Sequence, residues 1–128
     1  MEFTDSEKKL FKDLGIRALI LFGSQAQETA NSASDFDIGV LGRSEKSVYD
    51  ALYDLLAKKI NRLVNIDIVF LDTAPMELQS HLAKNGKVLY QKTPQVFANY
   101  REQVMREYAD FEPLRKIFQQ ATLARITP

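Results

Sequence analysis

The chain has no cysteine, which excludes disulfide bridges, thiolate catalysis and cysteine-bound metal sites. Positive and negative side chains balance to a formal net charge of zero, so no global basic field draws the protein to nucleic acid. That weighs against a polymerase-like grip on DNA or RNA. No apolar run approaches the length of a membrane span, and Met1-Glu2-Phe3-Thr4-Asp5-Ser6 shows neither the basic nor the apolar region of a signal peptide. The expectation is a soluble, cytoplasmic protein. There is one histidine, His81, set between Leu78 and Leu82 without an evident partner, and it reads as a surface or packing residue. No low-complexity tract or internal repeat is present. With 128 residues, 45% of them hydrophobic, there is enough chain for one domain with a real though small core.

Local patterns give the order of elements. Thr4-Asp5-Ser6-Glu7 fits a capping box, with Thr4 as N-cap and Glu7 reaching back. Leu10, Phe11 and Leu14 follow at helical spacing, and Gly15 is a stop signal. Arg17 to Phe22 reads as a buried strand ending at Gly23, and Gln25 to Ala33 as a short helix and loop. A second strand is expected from Asp35 to Leu41, with Asp35 and Asp37 on one face and Phe36, Ile38 and Val40 on the other. Ser44 is a candidate cap for a helix whose stripe is Val48, Leu52, Leu55, Leu56 and Ile60. Val64 to Leu71 reads as a third strand. Thr73-Ala74-Pro75 should start a helix that ends at Asn85-Gly86, and Val88 to Tyr90 should be a short edge strand. Thr93-Pro94 should open a long last helix, kinked or divided at Pro113. Its stripe of Phe97, Tyr100, Val104, Tyr108 and Phe111 suits core packing and partner contact equally.

The chemistry concentrates at Gly23-Ser24 and at Asp35-Phe36-Asp37. A glycine turn leading into a helix N-terminus offers backbone N–H groups to phosphate oxygens. Alternate carboxylates on a strand lie on one face, about 6.6 Å apart along the chain, and can converge on hard cations. Asp67 adds a third carboxylate, interrupting the apolar run Ile66-Asp67-Ile68-Val69-Phe70. An unpaired carboxylate there would carry a large desolvation cost, which bound cations would remove. The turn lies at the end of the first strand and the aspartates at the start of the second and third. For these to meet, strands one and two must be antiparallel neighbours, and strands two and three parallel.

Gly23-Ser24, ten residues, then Asp35-Phe36-Asp37, with Asp67 on a later strand, resembles the signature of the polymerase-β-like nucleotidyltransferase superfamily. Over roughly the first 90 residues the chain is most similar to its minimal, MNT-type members, often antitoxins encoded beside a HEPN-domain toxin. The resemblance implies an α/β (α+β) fold, a mixed sheet flanked by helices with a long C-terminal helical extension. Residues 1–92 would form the core and 93–128 an extension of the same domain. It implies two Mg²⁺ ions held by Asp35, Asp37 and Asp67, which are also the catalytic residues, and ATP as substrate with its phosphates held by Gly23 and Ser24. Its implied activity is transfer of AMP to a hydroxyl, expected to be a tyrosine's, on a cognate HEPN ribonuclease toxin. Transfer to a small molecule such as an aminoglycoside, or neutralisation of the toxin by binding alone, are the alternatives. One departure stands out: relatives often carry arginines where this chain has Gln25 and Gln27, and a glycine where it has Glu28. Arg43 and Lys46 are candidate replacements for the missing positive charge.

Overall fold

The computed structural model describes residues 1–23, 35–61 and 64–126, and for 110–115, 118–119 and 121–126 the backbone alone. The reading of Gln25 to Ala33 lies outside the described residues, as does Ser24. Helix α1 (Asp5–Asp13) begins with both halves of the capping box: Thr4 Oγ1 accepts from the Glu7 N–H, and Glu7 Oε1 accepts from the Thr4 N–H. The same Glu7 oxygen accepts from Lys59 Nζ at 2.8 Å, and that ammonium lies 5.1 Å from the centre of the Phe3 ring. The Lys59 hydrogen bond and the capping bond hold the Glu7 carboxyl below its ordinary range. The first helix is thereby tied to the second.

Strands β1 (Ala18–Phe22), β2 (Phe36–Leu41), β3 (Ile66–Phe70) and β4 (Lys87–Gln91) form one mixed sheet in the order β3-β2-β1-β4. β1 runs antiparallel to both β2 and β4, and β2 runs parallel to β3. These are the pairings that convergence of the turn and the carboxylates requires. Helix α2 (Lys46–Ile60) is the β2–β3 crossover, and β4 is an edge. A 3₁₀ turn (Leu71–Thr73) leads to α3 (Met76–Asn85), and α4 (Val96–Ile126) closes the chain.

Two apolar layers sandwich the sheet. Leu19, Leu21, Ile38, Val40 and Ile68 pack against Phe11 of α1 and Val48, Leu52 and Leu56 of α2. Ala18, Ile20, Phe22 and Leu41 pack on the other face with Leu71 and Leu82, joined by Phe97 and Tyr100 of α4. Leu52 and Leu56 are fully buried, and each such side chain contributes about 1.5–3 kcal/mol. Gly39 fits here for a reason of space: a Cβ would collide with the Leu82 side chain, so α3 seats directly on β2.

Several local expectations are corrected. Ser44 does not cap α2; Glu45 holds the N-cap position, without a side-chain hydrogen bond. The third strand is shorter than expected, because Leu71 turns into the 3₁₀ segment. Gly86 ends α3 in extended backbone (φ −71°) rather than in the left-handed conformation. Its lack of a side chain serves close approach to Ile20 and the Leu82 carbonyl instead. Pro113 does not divide the last helix, which runs unbroken from Val96 to Ile126. In a helix this long, cooperative bonding on either side carries the chain through one missing donor. The first half of its stripe is core: Val104 is buried, and the half-buried Tyr100 donates from its hydroxyl to Gln79 Oε1 at 3.1 Å. Burial, then Asp72 and Glu107, raises the Tyr100 phenol above its ordinary range. His81 is exposed, its Nδ1 3.3 Å from Asn85 Nδ2.

Candidate active site

The strand registers bring the predicted residues to one end of the sheet. Phe22, the last residue of β1, lies opposite Asp37. Asp37 in turn lies opposite Asp67 on β3. Directly paired residues share a face, so both carboxylates stand on the face that carries α3 and α4. Asp35, two residues before Asp37 and exposed, immediately precedes β2. The face alternation expected along β2 is observed for Asp37 against Phe36, Ile38 and Val40, which belong to the opposite layer.

Gly23 completes the set. Its backbone is left-handed (φ +74°), and a Cβ built there collides with Asp37 Oδ2. The glycine is thus required twice, by its conformation and by the carboxylate lying against it. Ser24 is outside the described residues, so of the two predicted phosphate-binding residues only Gly23 is placed.

The electrostatics follow from this crowding. Burial, then the charges of Asp67 and Asp35, raise the Asp37 carboxyl above its ordinary value of 3.8. Like charges that act on one carboxyl are an arrangement that a cation relieves. Hard oxygen donors are the ligand type that Mg²⁺ takes, so the donor set fits that ion. The side chains are not already drawn into a coordination shell: among the described residues no group of three or more His, Cys, Asp or Glu side chains is clustered to hold a metal.

The basic residues suggested as replacements for the missing arginines are elsewhere. β2 carries the chain about 13 Å from Asp37 to Leu41, and Arg43 follows at that far end, its guanidinium stacked near Gly15. Arg43 faces Glu45 at 4.0 Å and Lys46 faces Asp50 at 3.6 Å. Neither can reach a phosphate beside Gly23. Two clefts flank α4, a polar one of about 430 Å³ including Arg17, Asp72 and Tyr100, and one of about 420 Å³ including Val88, Phe97 and Met105. Asp35, Asp37 and Asp67 line neither. Among the described residues no helix is long and apolar enough to cross a membrane.

Comparison with known proteins accords with this geometry. Residues 6–95 match the family described as polymerase beta, nucleotidyltransferase. The chain is 29% identical over 111 residues to a protein adenylyltransferase, MntA, of Aphanizomenon flos-aquae, covering 79% of this chain and 74% of that protein. It superposes with a TM-score of 0.71 on a chain from the crystal structure of a toxin–antitoxin with AMP-PNP, at 23% identity, covering 94% of this chain and 99% of the other. A chain from the complex of a tri-AMPylated Shewanella oneidensis HEPN toxin with its MNT antitoxin gives a TM-score of 0.67 at 22% identity, with 93% and 94% covered. These structural likenesses establish the fold.

Proposed function

The chain belongs to the polymerase-β nucleotidyltransferase family, and from that membership we propose an antitoxin-type protein adenylyltransferase that moves AMP from ATP to a hydroxyl of a cognate HEPN-domain toxin. The observation that carries the reading is the register Phe22–Asp37–Asp67, with Gly23 seated against Asp37. The choice of AMP and of a HEPN partner is supported by the adenylyltransferase MntA and by the AMPylated toxin complex among the similar proteins. Residues 1–92 act as the catalytic core and 93–128 as a helical extension of the same domain.

In this reading Asp35, Asp37 and Asp67 hold Mg²⁺. Two bound ions would activate the attacking hydroxyl and neutralise charge on the leaving pyrophosphate. Asp37, crowded between its neighbours, is the central ligand. Asp67 is exposed and its carboxylate is open to the acceptor, where it takes up the hydroxyl proton. The Gly23 backbone N–H would donate to phosphate oxygens, and the Ser24 hydroxyl would add a second donor. Most of the rate would then come from positioning and charge neutralisation. The acceptor hydroxyl is a tyrosine's. Adding AMP there brings bulk and negative charge to an RNA-binding surface, which repels RNA as phosphorylation would.

Neutralisation by binding alone is favoured by one observation, the absence of lysine and arginine from the sequence between Gly23 and Ser34. Labelled ATP, Mg²⁺ and the toxin encoded beside this chain separate the two. Label on the toxin with the wild type and none with Asp67→Asn supports transfer. Toxin inhibition without label supports binding.

A further inference from the structure

The geometry points to a docking site along the outer edge of β4: an extended segment of the toxin, apolar with one carboxylate, adds to the sheet as a fifth strand and seats alternate side chains in the trough beside α4. This rests on the partner reading above. Among the described strands β4 is an edge. Among the described residues, no backbone hydrogen bond beyond the pairing with β1 is found at residues 87–91. The middle of this edge, Val88-Leu89-Tyr90, carries no charge or proline to blunt it. Added to such an edge, a peptide draws affinity from its backbone and selectivity from pockets for its side chains.

An open trough of about 420 Å³ runs beside the edge. Val88 pairs with Ile20, whose side chain belongs to the α3–α4 layer, so Val88 faces α4. Phe97, Ala98 and Met105 of α4 form the other wall. In a strand laid on β4, every second side chain points to this face and meets those groups. Arg101 stands in the same lining, exposed and in none of the ion pairs found among the described residues. Its neighbour Glu102 is already bonded to Arg106 at 2.9 Å. A guanidinium left over beside apolar groups selects a carboxylate on the incoming segment. The trough shares its sheet face with Asp37 and Asp67. The chain enters β4 at their end of the sheet, where residue 87 lies opposite Leu21, two residues before Gly23. An added strand would be three strand spacings from β2, about 14 Å, so the acceptor tyrosine lies outside the docked segment.

The test measures affinity for the HEPN-domain toxin, without ATP, for the wild type, Arg101→Glu, Ala98→Glu and Gln103→Ala. Melting temperature, self-association and amide hydrogen exchange are followed alongside. Ala98 is exposed on the trough wall, where a longer charged side chain fills the space, and Gln103 lines the polar cleft instead. Arg101→Glu and Ala98→Glu should each bind at least about tenfold more weakly, with melting unchanged and Gln103→Ala binding as the wild type does. Exchange at residues 87–91 should slow when the wild type binds toxin. Equal affinity in all four proteins, or unchanged exchange along β4, overturns the docking site and leaves the transfer reading intact. A wild type that self-associates, with Arg101→Glu monomeric, assigns the trough to a second copy and overturns it too. A wild type that binds no toxin overturns both readings. Toxin held at the trough but never labelled supports the docking site and sinks transfer alone.

Discussion

The carboxylate of Asp37 occupies the space that any side chain on residue 23 would need. Replacing Gly23 with alanine therefore forces two changes, a left-handed backbone on a residue that resists it and displacement of Asp37. Gly23→Ala should lower the thermal midpoint by several degrees, corresponding to about 1 kcal/mol or more. It should also abolish transfer. Wild-type melting and activity together would show that the Gly23–Asp37 contact is not needed.

Asp37 gives a pH-dependent prediction for the metal-free protein. In the folded chain its carboxyl holds a proton to higher pH than its ordinary value of 3.8. Ionisation therefore costs the fold nothing below that value and progressively more as pH rises above it through the folded pKa. Asp37→Asn should be more thermally stable than the wild type at neutral pH in the presence of a chelator, by a few degrees at most, because the group is partly exposed. The gap should close as pH falls toward the ordinary carboxylate range. A gap that is constant with pH, or reversed in sign, contradicts the crowding of Asp37 by Asp67 and Asp35.

Tyr90 is 5% exposed, and its buried hydroxyl has no hydrogen-bond partner among the described residues. Its ring, however, packs on Phe11 at 5.0 Å between centroids. Tyr90→Phe keeps that packing and removes the orphaned hydroxyl, so it should stabilise the protein by about 1 kcal/mol. Chemical denaturation of both proteins measures this. A less stable variant would mean that the hydroxyl has a partner in solution.

Much of this was legible because the informative signals are local. The capping box at Thr4 and Glu7 needs four consecutive residues, and both of its bonds form. The strand directions followed from one constraint, that Gly23 and the aspartates share a site, and the observed β3-β2-β1-β4 order satisfies it. What sequence could not supply was distance between elements. Arg43 is only six residues from Asp37, yet a strand turns that separation into opposite ends of the sheet. Pro113 carries the usual helix-breaking signal, but breaking is a balance between one lost bond and a whole helix, and the helix persists.

The central claim is covalent transfer, and intact mass reads it most directly. The HEPN-domain toxin proposed as partner is incubated with ATP, Mg²⁺ and either the wild type or Asp37→Asn, then weighed and assayed for ribonuclease activity. The account predicts a gain of one or more adenylyl units with the wild type alone, on a tyrosine, with ribonuclease activity falling in step. An unchanged mass, with ribonuclease activity falling equally in both mixtures, would contradict it and leave an antitoxin that acts by binding.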